Sequence, residues 1–374
     1  MVNMERTQTA RIIRDLERKM VLLSGPRQVG KSWLARDIAA RFGSSTYLNY
    51  DNLNHREAIE NYAWRSDTEL LVLDELHKMP SWKNHLKGIY DTKPANLKIL
   101  VTGSARLETF RQSGDSLAGR FFAHRLLPLS PAEAAGAGFD INRFMERGGF
   151  PEPLLSETKT DADRWRRQYL DSLIREDILS FENIRELKAI SLLVELLRDR
   201  VGSPISYQSL SEDTGVAPNT VKRYIDILES LYIIFRVYPF GDRIARSLVK
   251  QPKLYFFDTG LVRGDAGPLF ENLIAVCLYK RQAYLEDGDG SPRALSYLRT
   301  KEGREVDFIL VQAGIPELMV EAKYTDRSLS SQLLYFNERY GYPGIQLVAD
   351  LPLETERGGL SVRRAQDWLA GLEA

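Results

Sequence analysis

In the first third of the chain, short apolar runs recur between polar stretches of helical periodicity. Val21–Ser24, Ser45–Asn49, Leu70–Leu73, Ile99–Thr102 and His124–Leu127 read as strands. Strands that alternate with helical segments predict a parallel sheet with crossover helices. Residues 1–20, MVNMERTQTARIIRDLERKM, read as an amphipathic helix, and the Gly/Pro-rich stretch Glu146–Pro153 punctuates the pattern. A long charged helical stretch from Asp161 to Arg200 follows, which places a boundary near Glu157. Residues 205–240 read as short helices with a turn at Gly215, a last helix over Thr220–Leu231 and an extended run, the outline of a helix-turn-helix with a wing. From Phe270 onward the pattern becomes a helix (Glu271–Arg281) and strands near Ser296–Arg299, Val306–Val311, Leu318–Ala322 and Ile345–Val348. The expected fold class is α/β in three parts: a nucleotide-binding parallel sheet over residues 1–157, a helical region with a winged helix over 158–262, and a smaller α/β domain over 263–374.

A chain of 374 residues accommodates two or three such domains, and its 43% hydrophobic and 27% charged residues exclude a disordered or fibrous class. Lys plus Arg and Asp plus Glu are equal at 51 each, so contact with nucleic acid has to come from a local patch. Cys277 is the sole cysteine; it sits among Ala275, Val276 and Leu278, which predicts a buried apolar role, and a disulfide within the chain is impossible. Residues 1–20 lack the apolar core of a secretion signal, and no run of about 18 apolar residues occurs. The expected compartment is the cytoplasm, without membrane contact.

Chemistry enters with Gly25-Pro26-Arg27-Gln28-Val29-Gly30-Lys31-Ser32, which fits G-x-x-x-x-G-K-[ST] between an apolar strand and the helix Lys31–Phe42. The loop amides and the helix N-terminus suit phosphate, Lys31 suits the β/γ oxygens, and the Ser32 hydroxyl suits Mg²⁺; Trp33 closes the nucleotide-binding stretch. Leu70–Glu75 is an apolar strand ending in two carboxylates, Asp74 for the metal side and Glu75 as the base that orients water. Leu100–Ser104 is a third apolar strand with a polar end, where a serine either orients the attacking water or caps the next helix. ATP and Mg²⁺ are the expected ligands, and ATP hydrolysis the expected activity.

The segments GPRQVGKSWL, YLNYD, LLVLDELHK, LVTGSAR, SLAGRFFAHRLLPLSPAE and GGFPEP, in this order, resemble a prokaryotic AAA-type ATPase family with a C-terminal domain of formally unknown function. The resemblance implies that Ser104 is a sensor residue and that Arg120, with Arg106 as the competing choice, is an arginine finger or sensor; a finger implies a ring or a dimer. It also likens Gly149-Phe150-Pro151 to a lid element, with Pro151 reporting nucleotide state.

In the helix-turn-helix candidate, Ser206–Thr214 supports and Pro218–Ser230 presents Asn219, Thr220, Lys222 and Arg223, side chains suited to DNA phosphates and base edges. Arg243, Arg246, Lys250 and Lys253 extend a basic strip along the wing, although winged helices also contact proteins. Farther on, Glu271, Asp307 and Glu321-Ala322-Lys323 have the spacing of PD-(D/E)XK nucleases: three carboxylates for one or two Mg²⁺ and Lys323 opposite them. Gln332 and Tyr335 resemble an additional motif of some of these enzymes. Such a fold is also kept without cleavage. His55, His77, His85 and His124 show no zinc spacing. The resulting expectation is an oligomeric ATP-driven DNA-processing protein, acting on branched DNA among other forms; the alternative is a nucleotide-controlled signalling or defence switch that binds a protein partner without cutting DNA.

Overall fold

The computed structural model describes residues 4–103, 117–174, 184–241 and 251–373. The chain divides into two compact units: Glu5–Leu127 with Asp287–Asp289, and Pro128–Glu286 with Gly290–Ala374 and Met1–Met4.

In the first unit, α1 (Gln8–Leu16), α2 (Lys31–Ala39), α3 (Leu53–Glu60) and α4 (Trp82–Thr92) accompany β1 (Met20–Ser24), β2 (Ser45–Asn49), β3 (Leu70–Asp74), β4 (Lys98–Thr102) and β5 (Phe121–Arg125). The five strands form a wholly parallel sheet in the order β2-β3-β4-β1-β5. β1 and β3 are buried along their whole length, which explains why they read as continuous apolar runs rather than alternating ones. Leu22, Leu48, Leu71, Leu73, Trp82, Leu86, Ile99 and Val101 share one core cluster in this unit. The last strand starts three residues earlier than its apolar character suggested: the register pairs Met20 with Phe121 and Ser24 with Arg125.

The second unit contains α5 (Ile141–Arg147), α6 (Pro151–Leu155), α7 (Lys159–Ser172), α8 (Ile184–Arg198), α9 (Tyr207–Thr214), α10 (Pro218–Ser230), α11 (Ala266–Asp289, its last turn assigned to the first unit), α12 (Ser331–Tyr340) and α13 (Ala365–Ala370). Its strands are β6 (Ile234–Pro239), β7 (Lys253–Phe256), β8 (Arg293–Arg299), β9 (Glu305–Gln312), β10 (Ile315–Lys323), β11 (Gly344–Val348), β12 (Thr355–Arg357) and β13 (Leu360–Arg364). They form one mixed sheet in the order β12-β13-β11-β10-β9-β8-β6-β7.

Neither expected division, near Glu157 or between 262 and 263, coincides with this partition. Gly148, Arg166 and Asp258 tie the segment after Pro128 to the later chain: Arg166 Nε lies 2.8 Å from Asp258 Oδ2, with both side chains buried. At 262/263 the sheet itself is continuous, since β6 pairs with β8 at Tyr238↔Ser296 and Pro239↔Tyr297. A hairpin read locally as a wing is therefore the edge of a larger sheet. Cys277 is buried within α11, as its apolar neighbours predicted, and burial pushes its thiol up to about 12. Among the described residues no helix is long and apolar enough to cross a membrane.

Candidate active site

At the carboxyl edge of the first sheet, register brings three polar side chains into one row. Asn49 on β2 pairs with Asp74 on β3, and Asp74 with Thr102 on β4. In-register neighbours project on the same face of a sheet, so both flank the Asp74 carboxylate. Asp74 Oδ2 accepts from Ser32 Oγ at 2.8 Å and from Asn49 Nδ2 at 3.0 Å, and the hydroxyls of Tyr47 and Thr102 also donate to the carboxylate. Burial works to raise the pKa of Asp74, but donors from Thr102, Tyr47, Ser32 and Asn49 outweigh it and hold the carboxyl below its ordinary value.

The phosphate loop joins β1 to α2. Gly25 has φ +149°, and a Cβ there would lie 2.1 Å from the Leu126 carbonyl oxygen, so only glycine fits. Lys31 is buried, and its ammonium donates to the carbonyls of Gly25 (3.0 Å) and Pro26 (2.5 Å). Desolvation lowers its pKa to about 8 even though Glu75 and Asp74 favour the charged form. From α1's approach, Arg6 donates to the carbonyls of Val29 (3.2 Å) and Leu127 (2.7 Å), bracing the loop from behind. Val29 and Pro26 are buried, Arg27 and Gly30 are partly exposed, and Gln28 and Trp33 are exposed.

Glu75 adopts the left-handed region at φ +58°, and its amide donates to the Thr102 carbonyl at 3.1 Å. This uncommon conformation for a non-glycine residue turns the chain immediately after Asp74. Its carboxylate lies 3.4 Å from Lys78 Nζ and 3.8 Å from His77 Nε2. Ser104 and Arg106 lie outside the described residues. Arg120 is paired with Asp91 at 2.8 Å, just before β5, at the sheet edge opposite the phosphate loop. The phosphate loop follows Ser24 at the other end of β1, so Arg120 and the loop of the same chain lie at opposite ends of the strands.

The second unit gathers Glu271 from α11, Asp307 from β9 and Glu321 and Lys323 from β10. The β9–β10 register, Val320↔Phe308, sets Glu321 beside Asp307. Asp307 N reaches Glu321 Oε2 at 3.4 Å, Ala322 N donates to Asp307 Oδ2 at 2.9 Å, and Lys323 Nζ pairs with Glu321 Oε1 at 2.9 Å. Burial and then the Asp307 charge push both Glu271 and Glu321 up to about 7. Gln332 lies in the first turn of α12, where its amide donates to the capping Ser330; Tyr335 packs against the core beneath Arg304. Among the described residues no group of three or more His, Cys, Asp or Glu side chains is arranged to hold a metal ion.

Lys253 overturns its expected place in an exposed basic strip. It is buried on β7, and its ammonium faces Glu305, Glu271 and Asp307. Arg243, Arg246 and Lys250 lie outside the described residues. On α10, Asn219, Lys222 and Arg223 are exposed and Thr220 is half-buried, while Val221, Tyr224, Ile225 and Leu228 form the buried face.

Sequence reading gave no role to Tyr47, Asn49 and Arg6, and it placed Lys253 in the wing. The first two left a signal, two polar residues spaced i, i+2 at the end of a strand; Arg6 and Lys253 left none, because their partners are distant in sequence.

The first unit has the fold and site of a P-loop ATPase domain of the AAA class, which implies nucleotide binding. The family described as "AAA domain" matches residues 17–135, and two domains of unknown function, DUF8612 and DUF4143, match residues 138–266 and 266–353. The chain is similar to an uncharacterized protein of Mycobacterium tuberculosis, 26% identical over 324 residues that cover 83% of this chain and 72% of that protein. A Haemophilus influenzae protein is 22% identical over 387 residues, covering 93% of each. Among solved structures, a Walker-type ATPase of Pyrococcus abyssi covers 69% of this chain and 95% of that one at 16% identity and TM-score 0.44. Thermotoga maritima RuvB covers 62% and 87% at 15% identity and TM-score 0.33.

Proposed function

We propose that this ATPase is coupled to DNA contact through α10 in the second unit. The observation that carries the reading is the helix-turn-helix of α9 and α10, whose apolar face is buried while Asn219, Lys222 and Arg223 stand in solvent. Short polar and cationic side chains on the exposed face of a second helix suit phosphate and base-edge contacts. With an equal number of acidic and basic residues in the chain, this contact is local and strongly salt-dependent.

In the nucleotide site the loop amides and Lys31 bind the phosphates, and Glu75 orients water and accepts its proton. Ser32 and Asp74 present hard oxygen donors side by side, 2.8 Å apart, and this donor chemistry fits Mg²⁺. When bound, Mg²⁺ supplies charge neutralisation at the phosphate oxygens. Tyr47, Asn49 and Thr102 fix the Asp74 carboxylate and keep it ionised.

ATPase turnover with single-stranded, duplex and branched DNA tests the coupling. The expected result is stimulation by one DNA form, lost in Lys222→Glu and Arg223→Glu, with basal turnover unchanged. Equal turnover with and without every DNA form would reject the DNA reading and direct attention to a protein partner.

A further inference from the structure

Sequence spacing alone presents Glu271, Asp307 and Glu321 as ligands for a divalent metal; the tertiary structure sets a buried ammonium against two of them, Glu271 and Asp307. Lys253, with a side chain only 2% exposed, places Nζ 2.7 Å from Glu305 Oε1, 3.5 Å from Glu271 Oε1 and 3.7 Å from Asp307 Oδ1. The Tyr297 ring lies 5.4 Å from the same ammonium. Three carboxylates around one ammonium offset the cost of burying its charge.

Further contacts hold the carboxylates. Tyr255 donates to Glu271 Oε1 at 2.7 Å, Ala322 N to Asp307 Oδ2 at 2.9 Å, and Glu321 Oε1 is held by Lys323 and by Ser330 Oγ at 3.4 Å. The turn at Gly202 closes over Glu271: with φ +74°, a Cβ at this position would lie 2.7 Å from Glu271 Oε1. Tyr255, the Ala322 amide, Lys323 and Ser330 thus supply the cluster with donors from within the second unit.

We infer that Lys253 is the resident cation of this carboxylate cluster, occupying the position that a divalent ion would require, and that the cluster does not chelate Mg²⁺ or Mn²⁺. Two cations of like charge cannot share one buried site without repulsion, and Lys253 cannot withdraw without leaving buried carboxylates uncompensated. The second unit consequently does not hydrolyse phosphodiesters at this centre. The inference is independent of whether DNA is the ligand.

Calorimetric titration of the full, nucleotide-free chain with Mn²⁺ tests it, using wild type, Asp307→Ala, Lys253→Met and the double variant. Any Mn²⁺ at Ser32 and Asp74 contributes equally to all four. The expected result is the same stoichiometry in wild type and Asp307→Ala, one additional ion in Lys253→Met with a Mn²⁺-dependent rise in Tm, and loss of that gain in the double variant. One more ion in wild type than in Asp307→Ala overturns the inference, as does a folded Lys253→Met without the gain. If Lys253→Met does not fold, the comparison of wild type with Asp307→Ala decides.

Discussion

The Ser32 hydroxyl donates to the Asp74 carboxylate across 2.8 Å, joining the helix that follows the phosphate loop to the end of β3. The two residues are 42 positions apart in the chain, and the pairing is what turns two separate motifs into one site. Removing the carboxylate charge in Asp74→Asn is expected to lower kcat by on the order of 100-fold or more. A coupled ATPase assay beside circular dichroism checks this, and undiminished turnover in a folded variant would remove Asp74 from the mechanism.

Tyr47 and Asn49 donate to Asp74, and in the proposed mechanism they act on the reaction through it. Tyr47→Phe or Asn49→Ala deletes one hydrogen bond to a charged acceptor, and kcat is expected to fall ~10-fold with little change in KM, about 1.4 kcal/mol. The sign of the accompanying pH effect follows from the depressed pKa of Asp74: losing a donor raises it, so activity fails at a higher pH on acidification. An unmoved acid limb in the pH–rate profile would assign these residues to folding alone.

Nucleotide affinity should weaken as pH rises through about 8. Burial holds Lys31 at about 8, and only its protonated form attracts phosphate. Below that value the free protein already carries the charge and affinity is level; above it, binding takes up a proton and Kd rises ~10-fold per pH unit. Titration with a fluorescent ATP analogue between pH 6.5 and 9.5 (a roughly three-unit range around the shifted value) measures the curve, and a flat response would contradict it.

Gly25→Ala should destabilise the first unit by about 1–3 kcal/mol, since it combines a positive φ with a contact of 2.1 Å to backbone oxygen that cannot rotate away. Chemical denaturation measures the loss. Wild-type stability in the variant would mean the loop relaxes freely.

The carboxylate cluster sets a pH dependence of the opposite sense to that of Asp74. Glu271 and Glu321 are raised to about 7 by burial and by Asp307, so the folded protein retains protons that the unfolded chain releases above its ordinary carboxylate range. Their contribution to stability is full at low pH and is lost as pH rises from about 4.5 through about 7. Urea unfolding of wild type against Glu321→Gln across this interval should show the slope reduced in the variant; identical slopes would refute the assignment.

The phosphate loop, the Asp74-Glu75 pair and the parallel-sheet class are determined by the sequence itself, because each depends on residues adjacent along the chain: glycines that permit a tight loop, an apolar strand before it, a helix after it. The α9–α10 turn was legible for the same reason, with buried positions recurring at helical spacing. Strand order, the bracing of the loop by Arg6, the convergence of Tyr47, Asn49 and Thr102 on Asp74, and the continuity of β6 with the C-terminal strands were decided by tertiary structure. Lys253 shows why: its local neighbours suggest an exposed wing lysine, whereas its partners lie 18 to 54 positions later in the sequence, at Glu271, Glu305 and Asp307. Local propensity and spacing carry no information about which distant charges burial will bring within reach, and the pairing of a buried cation with buried carboxylates is settled only when the sheet closes around them.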